Sequence, residues 1–337
     1  MMMERIISFN KKGYDPFIDF LKGICILFIV LTHCFPEYLI HYTQFDLWGR
    51  TAVPLLILLQ VFHSYKKGLE ASVISIRKIW SRVAWPFFLT EAVIFMLFPL
   101  VHTETTYKDL VYNVFWGGLG PGCYYPWIYM EMAIIIPLCA FIFKRFSKRW
   151  QLVTFILISQ LLEVTVCLVN LPEWAYRITF FKYTFLIYLG YRLASEGLKI
   201  NWKTILLSLL SMAFLLFFSW SNHDLRPLFT NYDIWAIFHW VCYFYMAYLF
   251  LYLLTKAYLL IARQEKVMAY IMIIGKYSYE VFLFQLFYFT IIRHYTDSLL
   301  TGLPTEWADL THIIVAVTVC VVPVVGYKSY RNRKKEN

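Results

Sequence analysis

In the stretch DFLKGICILFIVLTHCFPE, residues 19–37, a lysine and a histidine interrupt a run otherwise apolar enough to cross a membrane. Lys22 and His33 are eleven residues apart. That is about three turns of α-helix, so the two lie on nearly one face, roughly 16 Å apart along the axis. Asp19 joins the same stripe. Charged and ionisable groups inside a bilayer are costly unless they face protein or a wet cavity, which makes them functional candidates by default. Histidine is the side chain suited to take a proton near neutral pH from a hydroxyl attacking a carbonyl. Lys22 could hold an anion such as a phosphate. Together they describe a donor anchored at one membrane face, extended through the bilayer and reacting near His33. The plainer reading is a packing histidine and a snorkelling lysine.

Further candidates lie downstream. In RKIWSRVAWPFFL, residues 77–89, Arg77, Lys78 and Arg82 run into an apolar helix. Arg82 could bind phosphate bidentately or act as an ordinary basic anchor. GPGCYYPWIYMEMAIIIPL, residues 120–138, opens with a Gly and Pro loop, passes Tyr125 and Trp127, and sets Glu131 inside a membrane helix. Glu131 could orient His33, hydrogen-bond an acceptor, or sit in a structural pair or as a protonated acid. Glu91 and Glu163 have the same standing with less context. Arg177 and Lys182 lie near an outer helix end, and Gln285, in IGKYSYEVFLFQLFYF at 274–289, could bond a backbone carbonyl or line a cavity. Tyr125, Trp127, Arg177 and Gln285 are the candidate acceptor contacts. The GxSxG elbow, HExxH, the P-loop and the dinucleotide fingerprint are missing, which argues against the common soluble hydrolase, zincin and nucleotide-driven mechanisms. Seven cysteines occur without metal-ligand spacing and read as packing residues.

The elements that must position these groups are membrane helices. The chain has 337 residues, 60% hydrophobic and 15% charged, outside the range of soluble domains. Apolar runs predict an all-α integral membrane protein, a single bundle of about ten transmembrane helices at 17–35, 51–64, 83–101, 124–143, 152–170, 178–194, 204–221, 233–255, 278–294 and 310–328. The first run carries Lys22 and lacks a small-residue cleavage site, so a retained helix is expected rather than a signal peptide. The net charge of +10 would by itself suit a nucleic-acid partner, but its distribution excludes that class. Lysines and arginines crowd alternate loops, while the others hold only Arg50, Lys108, Arg177, Arg226 and Arg293. This asymmetry predicts both termini in the cytoplasm. The expected organisation is a cytoplasmic segment 1–16, a transmembrane domain 17–328 and a basic cytoplasmic tail 329–337. The basic loop 64–82 could lie along the inner interface. The outer loops carry His41, His102, His223, Trp48 and Trp116, suited to a membrane rim or to sugar stacking.

In order along the chain, these stretches resemble the acyltransferase 3 family, ten-helix membrane proteins that O-acylate bacterial surface sugars. DFLKGICILFIVLTH resembles its opening motif, a basic residue, ten further residues and then a histidine; TAVPLLILLQVF its second-helix segment; RKIWSRVAWPF its basic approach to the third helix; YYPWIYMEMAIIIPL its aromatic fourth-helix motif; and IGKYSYEVFLFQ its late Gly and Ser turn. The resemblance implies acyl transfer from cytoplasmic acyl-CoA, usually acetyl-CoA, in a bacterial inner membrane. It makes His33 the catalytic residue, as general base or transient acyl carrier, and places Lys22, Arg82, Arg77 and Lys78 on the donor side. Acetyl-CoA is then a substrate, with no resident cofactor or metal expected. The implied partners are a lipid-linked or surface glycan, membrane lipids and a possible second copy of the chain. Departures from the family pattern are Gln60 and Val61 in place of a Ser-Gly pair, Gln285 in place of a late histidine, and the spacing of Arg77, Lys78 and Arg82. The rival reading is a transporter or flippase of an anionic glycolipid.

Overall fold

A computed structural model describes residues 15–66, 77–102, 104, 106–115, 117–222 and 238–336. The described residues are helical, without a β-strand. The first helix, α1 (Pro16–Cys34), begins on a proline and stops just before Pro36, the positions at which proline is tolerated and at which it ends a helix. Two short helices follow, α2 (Glu37–Thr43) and α3 (Asp46–Gly49), then α4 (Ala52–Lys66). A π-turn at Trp80–Ala84 leads into α5 (Trp85–Val101), followed by α6 (Tyr107–Phe115), α7 (Tyr125–Arg145) and α8 (Lys148–Leu168). Next come α9 (Glu173–Ile178), a 3₁₀ turn at Phe181–Tyr183, α10 (Thr184–Glu196) and α11 (Trp202–Asn222). The helix α12 (His239–Phe244) passes through a π-turn at Tyr245–Phe250 into α13 (Leu251–Ile261). The chain ends with α14 (Glu265–Lys276), α15 (Ser278–Phe287), a π-turn at Tyr288–Ile292, α16 (Arg293–Leu300) and α17 (Thr305–Glu336).

Among the described residues, seven helices are long and apolar enough to cross a membrane, or up to nine if two bent pairs each count as one span. Seven of the ten expected spans coincide with these helices. The expected span 51–64 belongs to a pair bent by 83°, and 278–294 to one bent by 70°. The second bend brings in α14, which sequence reading leaves as a loop. At the expected span 178–194, α10 has only 13 residues behind a 3₁₀ turn. The start of the expected span 233–255, Trp116, His223, Arg226, residues 67–76 of the basic loop and the segment before residue 15 lie outside the described residues.

The helices form two compact units that alternate along the chain: residues 1–15, 53–80 and 124–260, and residues 16–52, 81–123 and 261–337. In the second unit, α1 meets α14 backbone to backbone. A Cβ on Gly275 would fall on the carbonyl of Asp19, and one on Gly23 on the carbonyl of Ile271. Two glycines thus permit an approach no other residue would allow, the small-residue packing by which membrane helices associate. In the first unit, α10 is buried continuously from Thr184 through Gly190, and Gly190 admits Val61 of α4. Two serines of α11 serve the entry to the π-turn. Ser208 Oγ donates to the carbonyl of Phe244, while Ser211 Oγ donates to that of Cys242 and accepts the Tyr245 N–H. A π-turn breaks the regular ladder, and where no water reaches, side chains must satisfy the freed groups.

At the end of α10, Glu196 gathers Lys148 at 2.7 Å, Arg192 at 2.7 Å and Lys199 at 3.6 Å. Burial pushes its carboxyl up, but the Lys148 hydrogen bond and the Arg192 and Lys199 charges outweigh burial and hold it below the usual carboxylate value. A depressed carboxyl contributes stability above its unfolded pKa and loses it as pH falls through the folded value. Wild-type protein should therefore exceed Glu196→Gln in thermal stability near neutrality by under about 1 kcal/mol, the difference vanishing in acid as unfolding curves are taken down the pH scale. Gly275→Val should destabilise by about 3 kcal/mol through overpacking. Gly326→Ala, with open space around its Cβ, should not destabilise, as thermal unfolding in micelles will read.

Candidate active site

His33 sits in the last turn of α1, held at the far end of the helix that Gly23 and Gly275 fix. Its imidazole meets the Phe289 ring edge-on, with centroids 5.7 Å apart. Its carbonyl accepts a 3.4 Å hydrogen bond from Arg293 Nη1. The Arg293 guanidinium lies over the Phe289 ring at 5.9 Å and donates from Nε to Asp297 Oδ2 at 3.2 Å. Asp297 Oδ1 in turn meets Nδ1 of the buried His312 at 3.1 Å. An arginine whose planar group is braced by an aromatic face and a carboxylate is thereby fixed beside the histidine. Phe289 lies within the π-turn at Tyr288–Ile292 and Arg293 follows it directly, so the irregular turn aims both residues.

A glycine-rich loop is built against the same π-turn. Gly117, Gly118, Gly120 and Gly122 all have φ between 89° and 131°, which β-carbon-bearing residues avoid. A Cβ on Gly120 would strike the Thr290 hydroxyl, and one on Gly118 the Glu91 carboxylate. Glu91 Oε2 accepts the Leu119 N–H at 2.6 Å. Gln285, fully buried, reaches the Pro121 carbonyl from Nε2 at 3.4 Å. His102 at the end of α5 contacts the Thr290 carbonyl at 3.4 Å, and its ring is 5.9 Å from that of His294. Glu91 is thus the strut of the loop, and Gln285 its second tie.

The remaining candidates divide between the two units. Lys22 pairs with Asp19 at 3.2 Å on α1. Arg82 is exposed within the π-turn before α5, which the Tyr279 hydroxyl ties through the Val83 carbonyl at 2.7 Å. Arg77 and Lys78 are exposed one turn earlier and count with the first unit. In that unit, Glu131 Oε2 accepts the Phe180 N–H at 2.7 Å, so this carboxylate closes the turn between α9 and the 3₁₀ segment. Tyr125 is buried with its ring 6.2 Å from Tyr129, and Trp127 is half-buried. Arg177 lies over the Tyr124 ring at 5.3 Å. Gln60 and Tyr65 tie α4 to α7 through the carbonyls of Tyr129 and Ile136, at 2.8 and 3.1 Å. Among the described residues, no three His, Cys, Asp or Glu side chains converge as a metal site.

The acyltransferase domain model matches residues 15–326, nearly the whole chain. The chain belongs to the acyltransferase 3 family. With its run of apolar helices it is a multi-pass membrane acyltransferase. No curated protein and no solved structure matches it. Arg293 and Asp297 are the neighbours of His33 that sequence reading passes over, because Arg293 counts there only as a charge at an outer rim. The signal available was their spacing of four, with His312 fifteen residues on, which suits a helix-borne ion pair.

Glu91 offers a direct check on the loop. Glu91→Gln keeps an oxygen for the Leu119 N–H and should fold within about 1 kcal/mol of wild type, whereas Glu91→Met leaves that N–H unmet at about 2 kcal/mol. Hydrogen exchange at Leu119 should rise only in the methionine variant.

Proposed function

We propose that the protein is a bacterial inner-membrane O-acetyltransferase, with both termini in the cytoplasm, that moves an acetyl group from cytoplasmic acetyl-CoA to a hydroxyl of a lipid-linked or surface-polymer sugar. The observation that carries this reading is His33 on a membrane helix with Arg293 fixed beside it, in a chain of this family. Lys22, three turns back along α1, and Arg82 receive the CoA phosphates, and the extended pantetheine arm bridges the roughly 16 Å from Lys22 to His33. Arg77 and Lys78 add to the donor-side charge.

The chemistry follows from those roles. The acceptor hydroxyl oxygen attacks the thioester carbonyl carbon while His33 takes the hydroxyl proton. The negative charge on the carbonyl oxygen develops beside the Arg293 guanidinium, whose Asp297 and Phe289 contacts hold it in place before the reaction. The C–S bond then breaks, and His33 returns the proton to the leaving thiolate, giving ester and free CoA. In the variant route, His33 carries the acyl group between donor and acceptor. Glu131 serves the acceptor side by closing the turn that follows Arg177, and the half-buried Trp127 offers an aromatic face to the sugar, whereas Tyr125 is enclosed by protein. Gln285 keeps the glycine loop in place.

The test is thioester turnover from labelled acetyl-CoA in membranes holding equal amounts of wild type or variant, following free CoA and label in glycolipid. His33→Ala should abolish transfer while leaving the protein inserted. Arg293→Gln should reduce turnover about 100-fold, the magnitude typical of a lost oxyanion donor. Normal transfer by a stable His33→Ala protein would refute the assignment. Glycolipid movement without CoA release would favour transport instead.

A further inference from the structure

The first unit holds a pair of cations that take no part in the proton and acyl transfer at His33. Lys182, in the 3₁₀ turn before α10, is only 1% exposed. Its ammonium stands over the rings of Tyr124 at 5.2 Å, Tyr183 at 5.3 Å and Tyr176 at 5.5 Å. Its Nζ makes no hydrogen bond. The Tyr243 hydroxyl donates to the Lys182 carbonyl at 2.7 Å and pins the backbone of the turn. Arg177 approaches the same Tyr124 ring at 5.3 Å, and among the described residues it meets no carboxylate.

The neighbouring buried carboxylate is already engaged. Glu163 accepts the Tyr176 hydroxyl at 3.0 and 3.2 Å and faces His239 Nδ1 at 3.5 Å. Glu173, at the start of α9, is exposed. Two cations therefore share one tyrosine ring in a low-dielectric setting, where like charges repel strongly. The aromatic faces offset part of the several kcal/mol that desolvating the ammonium costs, but they supply no hydrogen-bond acceptor and no counter-charge. An anion between them would relieve that repulsion and meet the Lys182 Nζ. Arg177 and Tyr124 are half-buried and Lys182 fully buried, so the cations lead inward from the surface.

We propose that Lys182 and Arg177, bracketing the Tyr124 ring, form a binding site for an acidic group, carboxylate or phosphate, carried by the acyl acceptor. Tyr124 supplies a face for the adjoining sugar ring, and Glu131 sets the turn between the two cations through Phe180. The acceptor class is then an acidic sugar or a sugar joined to a phosphorylated lipid. This identification of the ligand as acceptor rests on the acyltransferase reading, whereas the binding itself does not.

The experiment uses the full chain in phosphatidylcholine nanodiscs with no acyl donor, and measures binding of trigalacturonate, its neutral methyl ester and inorganic pyrophosphate by calorimetry. Trigalacturonate or pyrophosphate should bind and the ester should not. Arg177→Gln and Lys182→Met should each weaken binding about tenfold or more, the loss of one charge-assisted contact. Lys182→Met should also melt no lower than wild type without ligand, because it removes an unpaired buried charge. Binding of trigalacturonate assigns the site to a sugar carboxylate, and binding of pyrophosphate to a carrier phosphate. The proposal fails if neither charged probe binds, or if Arg177→Gln, the part-exposed variant least able to disturb folding, binds as wild type does. It fails also if phosphatidylglycerol in the disc displaces both probes at its ordinary membrane abundance, which would mark a lipid-headgroup site. Acetyl-CoA turnover is read separately, so loss of the enzymatic reading and loss of this site leave different traces.

Discussion

The contact of α1 with α14 is the constraint on which the His33 site depends. At Gly275 the backbone of one helix lies against the Asp19 carbonyl of the other, and at Gly23 the relation is repeated with Ile271. Without a hydrophobic force between helices in lipid, close backbone approach is the main source of association. It also removes freedom: neither helix can rotate without driving a Cα into a carbonyl. His33, nearly three turns beyond Gly23, inherits that rigidity, and so does Lys22 next to it. A base that must meet a thioester and a hydroxyl within hydrogen-bond reach needs such a mount.

Polar side chains elsewhere in the apolar helices repeatedly serve backbone. Glu91 takes the Leu119 N–H, Glu131 the Phe180 N–H, Ser211 both groups of a π-turn, and Gln60 the Tyr129 carbonyl. Irregular backbone inside a membrane protein persists only where its donors and acceptors are met, so the first three mark places where the chain departs from straight helix, while Gln60 meets regular helix. The departures are where the candidate chemistry lies: the glycine loop and π-turn beside His33, and the tight turn that carries Lys182. Intramembrane charge therefore has two separable uses here, as structural ties and as chemical groups. Hydrogen-bond partners tell them apart.

The long apolar helices and the Lys22 to His33 stripe were legible in the residues because both follow from a period of 3.6 and from hydropathy alone. The role of Arg293 was not. Its link to His33 joins positions 260 residues apart across a π-turn, and a π-turn leaves no fixed mark on a sequence. Glu131 was legible as a buried acid but not as the acceptor of Phe180 N–H, since a backbone partner carries no residue identity. Residues 178–194 read as a span because they are apolar, yet α10 is short and enclosed by protein on nearly every side; composition alone does not separate burial in protein from burial in lipid. The α14 helix escaped notice because its glycine reads as a breaker, when that glycine is what lets it pack.

The π-turn at Tyr288–Ile292 carries a further meaning. Such a turn is equivalent to one residue inserted into a regular helix, and one residue corresponds to about 100° of rotation. Arg293 faces His33 because the insertion is there. A lineage that lost a single codon between 288 and 292 would keep an intact, still apolar helix while swinging the guanidinium away from the His33 carbonyl. The arginine can therefore be lost from this site by a change in chain length as well as by substitution, and a change of the first kind leaves every remaining residue type as it was.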